Sequence, residues 1–240
     1  MTSLGRKWVP RVVHIIGNGD NASLFLREER KGLKIACNQT PFPIEDKFAT
    51  AMVDFKFMAA MMRGSVKVDG KWICGFRPKK FLEDHPMYHM KVASQIKEFY
   101  DVLPKYAIPP GGNVGVGFTN FNCGHVATHY ACNRIKPDIV HMYGFDSIFD
   151  FNMRSFSDLV LASDRGNTNN NRLAGFWRPI WTSMWNEFPN TQFILHHTHN
   201  KFKVLHGDNV SCKVYSPLKE SEKINFDKNG LPKMDNITEA

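Results

Sequence analysis

The strongest constraint on the fold is a series of short apolar runs, several closed by glycine, with polar sequence between them. Arg11–Gly17 (RVVHIIG) reads as a buried strand stopped by glycine. Leu33–Asn38 (LKIACN) reads as a second strand, and Thr50–Phe55 (TAMVDF) as a third with Asp54 near its end. Asp138–Tyr143 (DIVHMY), closed by Gly144, and Gln192–His196 (QFILH) continue the series. Between them Ala22–Lys31 reads as a helix capped by Asn21; Gly124–Asn133 and a segment bearing Trp181 and Trp185 also read as helices. Strand–helix alternation marks a mostly parallel sheet with crossover helices. The predicted fold class is therefore α/β, a single Rossmann-like doubly wound domain over 1–218 with a polar C-terminal tail, 219–240.

Ser65–Phe76 breaks the rhythm. Val66, Val68, Trp72 and Cys74 alternate around Asp69-Gly70, which predicts an inserted β-hairpin with a type I′ turn. His85–Tyr100 reads as helical, Pro104–Gly112 as a breaker-rich connection, and Val114–Phe118 as a strand or a loop. Ser163–Arg172 (SDRGNTNNNR) is too rich in Asn and Gly for a core element.

A length of 240 residues with 42% hydrophobic and 22% charged residues excludes collagen, coiled coil and wholesale disorder. No apolar run reaches membrane-spanning length, and MTSLGRKWVPRVV lacks the apolar stretch of a signal peptide. Five cysteines, an odd number, read as buried thiols rather than a disulfide framework, which fits a cytoplasmic location. The net charge of +8 suits a phosphate-rich partner, although a merely basic surface accounts for it equally. Lys67, Lys71, Trp72, Arg77, Lys79 and Lys80 concentrate charge and an aromatic around the expected hairpin and are candidate DNA contacts. A second basic group begins at Lys201.

Three motifs carry candidate chemistry. Gly17-Asn18-Gly19-Asp20-Asn21-Ala22 fits G-x-G-x-x-A between a strand and a helix, where backbone N–H groups can cradle a phosphate. A nicotinamide cofactor would need a carboxylate about 20 residues on, and Cys37-Asn38 stands there instead. Another nucleotide, or a glycine turn without a ligand, remains open. Cys123, His125, His129 and Cys132 have metal-like spacing, but one helix cannot wrap a tetrahedral ion, so helix packing is expected and no metal. His196-His197-x-His199 ends a strand, where a neutral imidazole can act as general base; Asp146, past another strand, is a similar candidate. A His-rich turn and a capping aspartate are the plainer readings. There is no Asp-x-Asp, HExxH, GxSxG or P-loop.

Two blocks together resemble the sialyltransferase-type glycosyltransferases. VVHIIGNGDNASL followed by KIACNQTPF, with Cys37-Asn38-Gln39-Thr40-Pro41, looks like the large sialylmotif. NCGHVATHYACNRIKPDIVHMYGFD, with Tyr143-Gly144-Phe145, looks like the small one. The resemblance covers about a quarter of the chain. It implies a nucleotide-activated sugar donor, metal independence and inversion at the sugar carbon. By position it implies that Gly17, Asn18, Gly19 and Asn38 hold the donor nucleotide, that Asn122, Cys123, Gly124 and Tyr143 line the same pocket, and that a late histidine is the base. Two features depart from the family. Asn122-Cys123 replaces its Ser/Thr pair, and Asn200, Lys201, Phe202 and Lys203 follow His199 where a His-x₃-Glu element would end in glutamate.

The short, basic chain also looks like the small phage-encoded glycosyltransferases that decorate modified DNA, the 5-hydroxymethylcytosine arabinosyltransferases in particular. The expectation is an inverting transfer of a pentose from a uridine diphosphate (UDP) sugar to hydroxymethylcytosine in duplex DNA. UDP-sugar would be the co-substrate, no further cofactor would be used, and His197, His199 or Asp146 would be the base. The alternatives are a glycan or lipopolysaccharide acceptor and a non-enzymatic nucleic-acid-binding module. Oligomeric state is left open.

Overall fold

The computed structural model describes residues 10–149, 156, 176–200 and 207–223. It has one eight-stranded sheet in the order β5-β4-β3-β2-β1-β6-β7-β8. The strands are β1 Val12–Ile16, β2 Leu33–Cys37, β3 Lys47–Met52, β4 Trp72–Cys74, β5 Ile96–Phe99, β6 Ile139–Tyr143, β7 Gln192–His197 and β8 Val210–Val214. Every neighbouring pair is parallel. The chain runs outward from β1 to β5, then returns to the other side of β1 with β6. The α/β, Rossmann-like doubly wound reading therefore holds. Between β1 and β6 the chain reverses its direction of travel across the sheet, and the carboxyl ends of these strands frame the crevice where such folds bind ligands.

The two sheet faces differ in chemistry. One is apolar over most of its area. Val13, Ile15, Ile35, Ala49, Ala51, Ile73, Val140 and Phe193 point to it and pack under α5 (Cys123–Tyr130) and α6 (Arg178–Glu187), with Trp181 and Trp185 in the core. Burying such a side chain contributes about 1.5–3 kcal/mol. On the other face, α1 (Phe55–Met62), α2 (Phe76–Asp84) and α3 (Pro86–Val92) cover the β3–β5 half around Met52, Trp72 and Leu82. The β1–β6–β7 half has thinner cover: a 3₁₀ segment, Asp20–Arg27, and the chain around Tyr215 and Leu218.

Beneath that thin cover lies a polar ladder. His14 stacks on His141 with centroids 4.9 Å apart. His14 Nε2 sits 3.0 Å from the Lys31 carbonyl, and its Nδ1 lies 3.4 Å from the Tyr143 hydroxyl. His141 Nδ1 meets His196 Nε2 at 2.9 Å, and His196 Nδ1 meets the Tyr215 hydroxyl at 2.9 Å. Burial holds all three imidazoles below their ordinary 6.5, His141 at about 4 and His196 at about 3, helped by one another and by Arg30.

Several sequence expectations are corrected. There is no hairpin at 65–76: Trp72–Cys74 is a short parallel strand between β3 and β5, and Val66 and Val68 are buried loop residues under α1. The Asp69-Gly70 turn is real in that Gly70 has φ +84°, but it precedes a strand buried on both faces, which produces apolar alternation without a hairpin. Asp54 does not end a strand; it caps α1, accepting from the Lys56 N–H at 2.9 Å. His85–Tyr100 divides into the His85 cap between α2 and α3, α3 itself, a short 3₁₀ turn and β5, with Pro86 starting a new helix. Val114–Asn120 is a helix, α4, capped by the Asn113 side chain. Asn21 lies inside the 3₁₀ segment rather than capping a helix. Helix α5 forms as expected, with a reciprocal capping box between Asn122 and His125. No helix among the described residues is long and apolar enough to cross a membrane. The Ser163–Arg172 stretch, the basic group from Lys201 to His206 and residues 224–240 of the expected tail lie outside the described residues.

Candidate functional site

The turn after β1 and the turn after β6 interlock at the crevice. Gly17 N–H donates to the Tyr143 carbonyl at 2.7 Å, and Gly19 N–H donates to the Gly144 carbonyl at 3.0 Å. Gly144 takes φ +72°, and a Cβ there would sit 2.8 Å from that of Ala22. This seats Asp146 beside the start of the 3₁₀ segment, where a Cβ on Gly19 would overlap its carboxylate. Asp146 Oδ2 accepts the Asn21 backbone N–H at 3.1 Å, and Oδ1 accepts the Asn21 side-chain amide.

These contacts correct the expected phosphate cradle. The N–H groups of Gly17, Gly19, Asn21 and Ala22 all donate within the protein, the last to the Gly19 carbonyl at 2.9 Å. The Asn18 amide donates to the Gln39 carbonyl at 2.7 Å. An internal carboxylate thus fills the place that a phosphate takes at the start of a helix. The glycine turn builds the site without offering these amides to a ligand. Tyr143 is corrected too. Its carbonyl belongs to the crevice, but its ring is buried on the sheet face, stacked on His196 at 4.2 Å and edge-on to Phe25.

His199, just past β7, completes the arrangement. Its Nε2 lies 2.8 Å from Asp146 Oδ1. The carboxylate side chain is 6% exposed and the imidazole 21%, so Asp146 is sequestered while His199 retains access to solvent. An Nε2–H donor to Asp146 makes Nδ1 the nitrogen with the lone pair. His197 has a different setting. It is 4% exposed, stacks on Phe149 at 3.8 Å and accepts the His199 N–H on Nδ1 at 3.1 Å. Burial first, then His199, lowers its pKa. The structure therefore brings Asp146 and His199 together and makes His197 their support. Phe149, which sequence reasoning missed, packs against both histidines. Its only signal is a large aromatic just past the YGFD strand end.

The β2 side of the crevice is formed by Asn38 and the first turn of α5. Asn38 takes φ +52°, and its amide donates to Cys123 Sγ at 3.5 Å. Asn122 caps α5 by accepting the His125 N–H at 3.0 Å, and Cys123 and Gly124 are its first residues. The metal-like spacing resolves into packing. His125 is fully buried against Phe121 and Trp181, which lowers its pKa to about 3. His129 meets the Tyr100 hydroxyl at 2.6 Å and Glu187 at 3.3 Å. Among the described residues no three His, Cys, Asp or Glu side chains are grouped to hold a metal ion.

The candidate DNA contacts are mostly engaged within the protein. Trp72 is 2% exposed and its indole N–H donates to the Val68 carbonyl, so it cannot stack on a base. Lys67 pairs with Asp69, Lys79 with Asp101 and Lys80 with Glu83. Lys71 donates to the Ser94 carbonyl, and Arg77 is half-buried on α2. A hollow of about 450 Å³ lies at the opposite end of the strands, where β6 and β7 begin, lined by Arg11, Lys136, Asp138, Glu187 and Phe188. It is remote from the Asp146–His199 pair.

No protein-family model, curated protein or solved structure matches the chain. A functional reading therefore rests on the crevice itself and on the motif resemblance.

Proposed function

We propose that the protein is an inverting glycosyltransferase that moves a sugar, a pentose such as arabinose, from a UDP-sugar to hydroxymethylcytosine in duplex DNA. The observation that carries this reading is the Asp146–His199 pair at the β1/β6 crevice. The acceptor hydroxyl oxygen attacks the anomeric carbon as the bond to the UDP phosphate oxygen breaks. Its proton passes to His199 Nδ1. Asp146 fixes the tautomer and balances the imidazolium charge. A single displacement inverts the anomeric centre. With the Gly17, Gly19, Asn21 and Ala22 amides engaged, the leaving diphosphate is assigned to the first turn of α5 and Asn38. The net charge of +8 supports a polyanionic acceptor.

A second reading keeps the chemistry and replaces DNA with a glycan acceptor. The pairing of Lys67, Lys79 and Lys80 with carboxylates, and the burial of Trp72, favour it. One experiment separates the two. Purified protein is incubated with UDP-sugars, EDTA and duplex DNA with or without hydroxymethylcytosine, and the digested nucleosides are read by mass spectrometry. A pentose mass on hydroxymethylcytosine is the expected result. UDP release that ignores DNA selects the glycan acceptor. Salt-dependent DNA binding without any turnover selects a binding module and refutes the enzyme.

A further inference from the structure

We propose that the Nε2–H of His197 binds a hydroxyl of the sugar being transferred, and so sets which sugar the crevice takes. His197 is the last residue of β7. Alternation along the strand puts it on the face of Phe193 and Leu195, under α5 and α6, while its neighbour His196 faces the ladder. Two contacts fix the ring. It stacks on Phe149 at 3.8 Å, and its Nδ1 accepts the His199 N–H at 3.1 Å. A nitrogen that accepts carries no hydrogen, so the neutral ring has its hydrogen on Nε2. Burial keeps the ring neutral. Nε2 is itself buried and has no hydrogen-bond partner among the described residues. An N–H so placed is costly unless something supplies an acceptor.

Position separates His197 from the other buried N–H groups that lack an acceptor. Trp185 buries one too, but against Phe193 near the start of β7, inside the apolar core and far from the carboxyl ends of the strands. His197 stands at the carboxyl end, two residues before His199 and beside the crevice. Among the described residues, the titratable groups that bear on it are His199 and Asp146. A neutral donor beside a carboxylate suits an uncharged oxygen and disfavours a second anion.

The choice of a sugar hydroxyl rests on the proposed function, which puts the diphosphate at Asn38 and the first turn of α5. Asn38 follows β2, three strand positions from β7, or about 14 Å across the sheet. The diphosphate is therefore out of reach of His197. The sugar bonded to it extends over β1 and β6 toward His199, where the acceptor loses its proton. Two oxygens close to the reacting carbon make poor partners. An N–H on the acceptor oxygen would weaken the nucleophile. One on the ring oxygen would oppose the positive charge that develops at the anomeric carbon. A hydroxyl on the sugar has neither drawback, and a sugar without it leaves the buried N–H unpaired.

The test measures, by calorimetry on the full-length protein, the affinities of UDP, UDP-arabinose and each monodeoxy form of UDP-arabinose. One deoxy form should bind about 10–100-fold more weakly than UDP-arabinose. His197→Asn keeps an acceptor for the His199 N–H and has no group at the Nε2 position, so the penalty should shrink to less than about twofold. His197→Gln puts an amide N–H near that position and should restore it. Circular dichroism checks that both variants fold; if they do not, the deoxy series and spectra of the unaltered protein still decide. Long-range proton–nitrogen spectra should place the His197 hydrogen on Nε2 in the free protein, with a signal that shifts on adding UDP-arabinose and not on adding UDP. No penalised deoxy form, a penalty that survives in His197→Asn, or a hydrogen on Nδ1 overturns the sugar contact while UDP binding stands. If UDP itself does not bind, the donor reading falls and the contact falls with it.

Discussion

His196 and His199 are three residues apart and have opposite fates. His196 joins His14 and His141 under the 3₁₀ segment, where imidazoles and tyrosine hydroxyls satisfy one another. No carboxylate contacts this ladder among the described hydrogen bonds, and burial keeps its members neutral. His199 sits beyond the strand end, partly solvated, against a buried carboxylate. The same side chain is thus a structural dipole in one place and a candidate base in the other. The deciding variable is the acid partner, more than distance along the chain.

The comparison can be broken most sharply at the edge. His199→Ala should lower sugar transfer by about 100–10,000-fold and leave the urea midpoint nearly unchanged. A variant with full activity would remove His199 from the chemistry. Asp146→Asn should lower transfer by on the order of 100-fold. It should also reduce stability by about 1–3 kcal/mol, because three donors lose a charged acceptor. An unaltered urea midpoint would mean that the knot with Asn21 contributes nothing.

The ladder should show itself in acid. Its histidines have folded pKa values below 6.5, so unfolding takes up protons. Stability is then flat above about pH 6.5 and declines as pH falls toward 4 and 3. The slope is about 1.4 kcal/mol per pH unit for each histidine still neutral when folded. Urea titrations across this range check the sign, and stability that rises on acidification would contradict it. His196→Phe should flatten part of the slope without affecting transfer at neutral pH. The smallest effect is expected at the paired lysines. Changing Lys67, Lys79 and Lys80 together to Gln should alter the salt slope of DNA binding by less than about 1, whereas direct phosphate contacts would remove about 0.9 each.

Much of this was legible in the sequence. β1, β2, β6 and β7 announce themselves because central parallel strands are buried on both faces and read as unbroken apolar runs. Asp146 and His199 were reachable because sites gather past strand ends. The failures have physical causes. β4 has only three residues, and its approach, with Val66 and Val68 buried as loop, mimics the alternation of a hairpin. α4 is hidden by Val114, Gly115, Val116 and Gly117, poor helix formers held by the Asn113 cap. The glycine turn looks identical whether its amides meet a phosphate or an aspartate that follows more than a hundred residues later. Only the fold reveals that Asp146 is already there.

The strand order also has a consequence during synthesis. β1 is made first yet sits at the centre, and its β6 partner follows late: Val12 pairs with Ile139, 127 residues on (139 − 12). At ribosomal rates of about 5–20 residues per second, that edge of β1 waits roughly 6–25 s for its neighbour. Through that interval VVHII presents unpaired backbone groups, the template on which other chains add. Yield of folded protein should therefore depend on how fast translation reaches residue 143 and on what shields the growing chain until then.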